Sequence, residues 1–127
     1  MTTNTRTLTF VIPKDDSVSN GIDAQHLTLI GLDVPALEAT TTRLELQHSA
    51  DLPSVLDASA TWKPIYDAGG TLIRVAVAAA TPRFVSLSPG PDGLRLGRIR
   101  LRAAVDAGTA VVQATAVRTI LPHFYEV

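Results

Sequence analysis

The chain contains no cysteine among its 127 residues, which excludes disulfide scaffolds, zinc fingers, iron–sulfur sites and thiol catalysis. It has no excess of charge of either sign, because 11 basic residues face 12 acidic ones and the formal net charge is −1. Such a balance gives no broad electrostatic reason to bind nucleic acid or an anionic membrane. No apolar run approaches the roughly 18 residues of a membrane-spanning helix. We expect a protein that is made in the cytosol and stays soluble.

Aromatic residues are also scarce, at 5% of the chain, and Trp62 is the only tryptophan. Carbohydrate-binding sandwiches use exposed aromatic rings to stack on sugars. An exposed Trp62 in a groove with nearby carboxylates would favour such a role, whereas a buried one would weaken it. With so few large side chains available, we interpret Trp62 as a filler of the core.

Hydrophobic residues alternate with polar ones along most of the chain, a pattern typical of half-buried β-strands. No helical period exceeds two turns, although one short helix is expected at residues 54–58. Proline at position 64 places its strand at a sheet edge or at a bulge, and Ala68-Gly69-Gly70 predicts a hairpin turn. Strands are predicted at residues 7–12, 25–32, 40–48, 61–67, 71–79, 83–87, 94–103 and 113–121.

Most connections between these strands are roughly six to fourteen residues long, as expected when strands cross between two sheets. The sequence therefore predicts a single all-β domain over residues 1–127, an antiparallel, jelly-roll-like β-sandwich of about eight strands. Residues 1–5 are expected to form a flexible N-terminal arm. The aromatic C-terminal tail, residues 122–127, is expected to pack on this subunit or on a neighbour.

The strand over residues 94–103 carries the strongest charge pattern. Its apolar phase slips by one residue at Gly97, which predicts a β-bulge there. Arginines that share one face of a strand require carboxylates, either from within the chain, with Glu45 as a candidate, or from a partner. Both alternatives remain open at this stage. The candidate partner interface comprises Arg95, Arg98, Arg100, Arg102, His123, Phe124 and Tyr125.

Residues that could support catalysis or hold a metal are sparse. The histidines, His26, His48 and His123, are scattered, and no two have the spacing of strand metal ligands. The aspartates from Asp33 onward fall in turns or loops, where aspartate bonds its own backbone, and no G-x-S-x-G nucleophile elbow occurs. We expect no enzymatic activity, no metal and no cofactor.

An ordered set of segments covers nearly the whole chain, namely RTLTFVIP, SNGIDAQHLTLIGLDVP, LELQHSAD, WKPIYDAGGTLIRVAV, FVSLSPGPDGLRLGRIRLRA and VRTILPHF. Their layout resembles that of small structural proteins of tailed bacteriophages. Residues 52–60 depart from that layout as an insertion before the tryptophan strand. The loop after Arg102 departs from it as well.

This resemblance implies a virion component without enzymatic activity, similar to capsid decoration (cement) proteins. Its implied location is the outer surface of the head, after synthesis in the cytoplasm of a host bacterium. Its implied partners are the major capsid protein and further copies of itself, as a dimer or trimer, with no nucleic acid and no membrane. Two alternatives stay open: a tail or baseplate module that binds a host glycan, and a head–tail connector or tail-completion component.

Overall fold

A computed structural model of the chain describes residues 8–24, 27–52, 54–78, 81–86, 94–95 and 97–126. The expected N-terminal arm lies outside these residues. In this part of the chain no helix is long and apolar enough to cross a membrane. The described strands are β1 (Phe10–Ile12), β2 (Ile22–Asp23), β3 (Leu27–Val34), β4 (Arg43–Ser49), β5 (Lys63–Pro64), β6 (Arg74–Ala76), β7 (Arg83–Ser86), β8 (Leu94–Arg95), β9 (Arg98–Ala104) and β10 (Arg118–Glu126).

The strands form two antiparallel sheets, which confirms the predicted all-β sandwich. In the first sheet the order is β1-β10-β3-β7, with β8 also paired to β3. In the second sheet the order is β2-β9-β4-β5, with β6 also paired to β4. Because β7 and β8 follow one another along β3, and β5 and β6 along β4, the ten strands fill eight positions. The chain alternates between the sheets in the manner of a jelly roll.

One hydrophobic core lies between the sheets. Leu29, Leu32 and Ile120 enter it from the first sheet, and Leu44 and Leu101 from the second. All five side chains are almost completely buried. The alternation of apolar and polar residues along each strand therefore directs one face of each sheet toward the core, as the sequence predicts.

The edge of the second sheet confirms the prediction for Pro64. β5 pairs only with β4, at Gln47 and His48, so a residue without an N–H is tolerated there. The predicted hairpin follows: Asp67 accepts hydrogen bonds from the backbone N–H groups of Gly69 and Thr71, both at 2.9 Å.

The predicted β-bulge at Gly97 is wrong. β8, before it, pairs with β3 in the first sheet, whereas β9, after it, pairs with β4 in the second. The two sheets face the core with opposite sides. A chain that crosses from one sheet to the other therefore shifts its alternation of apolar and polar residues by one position, just as a bulge would. The bulge lies elsewhere, where His123 pairs with Gly31 and Phe124 with Leu29, leaving Ile30 unpaired.

The predicted last strand is also displaced. β10 begins at Arg118 and continues through Pro122 to Glu126, beyond the end of β1, where it pairs with β3 alone. Gln113, expected in that strand, is instead fully buried between loops. Its side chain accepts a hydrogen bond from the N–H of Glu38 at 2.9 Å and donates one to the hydroxyl of Thr41 at 3.1 Å. The predicted short helix at residues 54–58 is absent as well, and turns and bends occupy its described residues.

Replacement of Gly31 by alanine tests the packing on the outer face of the first sheet. A Cβ atom added at Gly31 would lie 2.3 Å from Cζ of Phe84, so the ring must move. Phe84 is itself 54% exposed and its ring can move away from Gly31, so we expect G31A to lower the free energy of unfolding by about 1 kcal/mol, the low end of the cost of overpacking. G97A is the matched control, because its Cβ would lie at an ordinary 3.5 Å from Nε2 of His48. Urea denaturation should show a change within about 0.5 kcal/mol for G97A, and a loss for G31A no larger than that for G97A would show that the Phe84 ring moves aside without cost.

Candidate functional site

The three arginines of β9 lie on the outer face of the second sheet, as the alternation predicts. β9 runs antiparallel to β4, and this register places Arg100 opposite Gln47 and Arg102 opposite Glu45. Nε of Arg100 donates to Oε1 of Gln47 at 2.7 Å, and Nη1 of Arg102 donates to Oε1 of Glu45 at 2.6 Å. The internal partner that the sequence offered for the arginine strand is therefore used.

Glu45 also binds a second arginine. Nη2 of Arg43 donates to Oε2 of Glu45 at 2.5 Å, and its Nη1 donates to the carbonyl oxygen of Asp106 at 3.0 Å. The Glu45 side chain is only 6% exposed. The buried carboxylate of Glu45 thus links Arg43 on β4 to Arg102 on β9. Arg43 in addition contacts the turn after β9 through the carbonyl oxygen of Asp106.

Arg98 instead holds the segment of residues 50–61 in place through side-chain hydrogen bonds. Its guanidinium donates to the carbonyl oxygens of Leu52 and Val55 and to Oδ1 of Asp57, with distances between 2.5 and 3.0 Å. The Arg98 side chain is only 9% exposed. A planar guanidinium can satisfy several acceptors at fixed angles, so this residue sets the shape of the segment. We name residues 50–61 the clamped loop.

The base of the clamped loop is held separately. Oδ2 of Asp51 accepts a hydrogen bond from the backbone N–H of Thr61 at 2.6 Å, and the hydroxyl of Ser49 lies 3.2 Å from the same oxygen. These contacts close the two ends of the loop onto each other beside the end of β4.

Trp62 follows the clamped loop and is half-buried, but it is not part of the core, so the prediction of a core-filling role is wrong. Its Nε1 donates to the carbonyl oxygen of Asp57 at 3.0 Å. The guanidinium carbons of Arg100 and Arg98 lie 4.6 Å and 5.4 Å from its ring centroid. Cation–π contacts of this kind already occupy the ring, which makes Trp62 a poor platform for a sugar.

The clamped loop presents two leucines to solvent. Leu52 is 70% exposed and Leu56 is 75% exposed, while the backbone carbonyl of Leu52 is held by Arg98. Residues 52–60 stand out in the sequence as an insertion, but these two side chains are not among the predicted interface residues. The sequence signal for them is a pair of leucines in a segment without strand periodicity.

The C-terminal candidates separate on the two faces of β10. His123 points outward, with its ring edge-on to Phe84 at a centroid distance of 5.0 Å. Phe124 packs against the core. Tyr125 and Arg95 lie on β10 and β8, and only their backbones are described. The tail thus packs on this subunit through β3, and the structure does not bring it together with the arginines of β9.

A groove of about 690 Å³ runs between the edge strands β1 and β2. Val11 and Ile22 line it together with Arg100 and the carboxylates of Asp16 and Asp57. In the described part of the chain no group of three or more histidine, cysteine, aspartate or glutamate residues could hold a metal ion. The lining of the groove thus combines apolar side chains with charged ones.

Removal of the Glu45 carboxylate tests the buried network. E45Q keeps the side-chain shape but leaves Arg43 and Arg102 without a counter-charge, and breaking a buried pair in this way typically costs about 3–5 kcal/mol. We expect a loss of that size in urea denaturation. E38Q is the matched control, because Glu38 forms a longer, more exposed pair with Arg118 at 3.3 Å, and its effect should be clearly smaller. Equal losses would show that burial of Glu45 is not what matters.

Acid should weaken the fold through Asp57 and Glu38. Burial acts to raise the pKa of Asp57, but hydrogen bonds from Arg98 and from the N–H of Gly21 outweigh it, so this pKa is lowered from its ordinary 3.8. Hydrogen bonds from Thr115 lower the pKa of Glu38 from its ordinary 4.5.

Both carboxylates then stabilise the protein above their ordinary pKa values, and this contribution disappears as the pH falls through the lower folded values. Unfolding free energies measured from about pH 6 down to about pH 2 should fall more steeply for the parent than for D57N. Parallel curves would contradict the contribution of Asp57.

Comparison of the chain with protein-family models, with curated proteins and with solved structures gives no match.

Proposed function

We propose that this chain is a non-enzymatic structural protein that docks on a repeating protein surface through its clamped loop. The observation that carries the proposal is the pair Leu52 and Leu56, two large apolar side chains held in solvent on a loop that Arg98 fixes. Large, strongly exposed apolar residues on one short loop are the kind of feature from which protein–protein contact sites are built. The role agrees with a jelly roll whose β9 arginines have their hydrogen-bond partners within the chain.

The energetics of the clamped loop favour docking. Full burial of a leucine side chain contributes roughly 1.5–3 kcal/mol. Binding by a flexible loop loses part of such a gain to ordering. Here Arg98 and Asp51 already hold backbone groups of the loop through side-chain hydrogen bonds, so part of the ordering cost is met on folding.

The setting that we propose is the outer surface of a bacteriophage head, with the major capsid protein as the partner. This setting rests on the sequence layout, in which residues 52–60 form the insertion that carries both leucines. A capsid offers the same surface many times, and modest contacts made by a dimer or trimer add through avidity. The local symmetry axes of the shell also favour a symmetric oligomer. Neither the glycan alternative nor the connector alternative has a comparable observation in its favour.

Co-sedimentation of the purified protein with undecorated heads of its own phage tests the proposal. We expect saturable binding and a higher temperature of head disruption. The double variant L52D/L56D should lose at least about tenfold in affinity, which corresponds to about 1.4 kcal/mol.

V112D is the matched control, because Val112 is also exposed but lies outside the clamped loop, and it should bind like the parent. Absence of parental binding would reject the decoration role. Parental binding with equal affinity for all three proteins would keep decoration but reject the leucines as its contact. Ring-shaped oligomers that do not bind heads would instead support the connector alternative.

A further inference from the structure

Asn20 and Gly21 form the dipeptide most prone to spontaneous deamidation. In this reaction the Gly21 nitrogen loses its proton to solvent and attacks Cγ of Asn20. The new N–Cγ bond closes a succinimide as Nδ2 leaves in ammonia. Water then opens the ring at either carbonyl, which gives aspartate or isoaspartate at position 20. No enzyme and no co-reactant other than water is required.

The fold places the Asn20 side chain along the outer edge of β1. Its Oδ1 accepts a hydrogen bond from the N–H of Val11 at 2.7 Å, and its Nδ2 donates to the carbonyl oxygen of Thr9 at 3.1 Å. The backbone N–H of Asn20 donates to the carbonyl oxygen of Val11 at 3.2 Å. One residue thus satisfies backbone groups of an edge strand that would otherwise be free to pair with another chain.

The attacking nitrogen is held as well. The N–H of Gly21 donates to Oδ2 of Asp57 at 2.8 Å, and Arg98 holds the other oxygen of that carboxylate at 2.8 Å. A carboxylate beside an N–H disfavours loss of the amide proton, which the attack requires. The nucleophile and the electrophile of the reaction are therefore tied to different partners.

Packing prevents replacement of Gly21 by a residue that would slow the reaction. A Cβ atom at this position would lie 2.6 Å from Oδ1 of Asp57 and 2.7 Å from Cη2 of Trp62. The close approach of Trp62 and the clamped loop thus requires glycine after Asn20. The fold retains a labile pair and protects it by its contacts.

We propose that Asn20 is a latent deamidation site. In the native fold the contacts of Gly21 with Asp57 and of Asn20 with β1 suppress the reaction, and conversion of Asn20 exposes the backbone groups at the edge of β1. Conversion removes the Nδ2 donor and places a carboxylate against the carbonyl oxygen of Thr9. Isoaspartate in addition lengthens the main chain by one methylene. The change is irreversible, so a molecule whose β1 edge has opened carries a permanent mark. This inference does not depend on the proposed docking role.

The test compares deamidation at Asn20 in three samples of the full chain at mildly alkaline pH: native parent, native D57N and parent unfolded in urea. Peptide mass mapping locates the conversion, and a protein isoaspartyl methyltransferase detects isoaspartate. We expect the native parent to react at least about tenfold more slowly than the unfolded chain, because reaction requires local opening. D57N should fall between them.

D67N is the matched control, because Asp67 also accepts backbone N–H groups but lies in the β5–β6 hairpin. It should react at the parental rate. Equal rates in native and unfolded parent would overturn the proposal, and so would a parental rate in D57N.

A second measurement separates local protection by Asp57 from its effect on global stability. The deamidation rate of D57N is measured at low urea concentrations. A rate insensitive to urea below the unfolding transition marks local opening, while a rate that follows global unfolding rejects a protective role for Asp57. Converted parent, separated by ion exchange, should be cleaved faster by protease near β1, and unchanged cleavage would reject the exposure of the β1 edge.

Discussion

The pairing of β4 with β9 is the constraint on which the rest of the structure depends. It aligns Glu45 with Arg102 and Gln47 with Arg100 on the outer face, and it directs leucines of both strands into the core. A face that carries three arginines in alternation would repel itself without such partners. The carboxylate of Glu45 is shared between Arg102 and Arg43, so one buried charge compensates two others.

Arg98 extends this arrangement from the sheet to the loop. Its register on β9 is fixed by the ladder with β4, and its guanidinium then fixes the carbonyl groups of Leu52 and Val55. The position of the two exposed leucines is therefore a consequence of strand pairing. A loop positioned in this way by a rigid sheet is typical of binding surfaces.

Asp57 connects the same loop to the opposite part of the sandwich. One of its oxygens binds Arg98 and the other binds the N–H of Gly21, next to the residue that caps β1. The clamped loop and the β1 edge thus share one carboxylate. Loss of that carboxylate should loosen both, which links the acid sensitivity of the fold to the chemical stability of Asn20.

The predictions that the structure overturns fail for specific physical reasons. Alternation is a local signal, so it finds strands but cannot distinguish a bulge from a crossing between sheets, as at Gly97. The missing N–H of proline predicts the end of the last strand, yet Pro122 is accepted where β10 pairs on one side only. Gln113 fitted a strand period and serves instead as a buried hydrogen-bonding residue between loops.

The sequence by itself determined the fold class, the restriction of Pro64 to an edge or a bulge, the hairpin after Tyr66 and the common face of the β9 arginines. Each of these depends on local geometry: the period of two along a strand, the missing proline donor and the turn preference of glycine. The partners of the arginines, the exposure of Leu52 and Leu56 and the joint protection of Asn20 and Gly21 were decided by the tertiary structure. Many of those contacts join residues far apart in the chain, such as Arg98 with Asp57, 41 positions away, and Gly21 with Asp57, 36 positions away. No local pattern in the chain specifies which distant groups will meet.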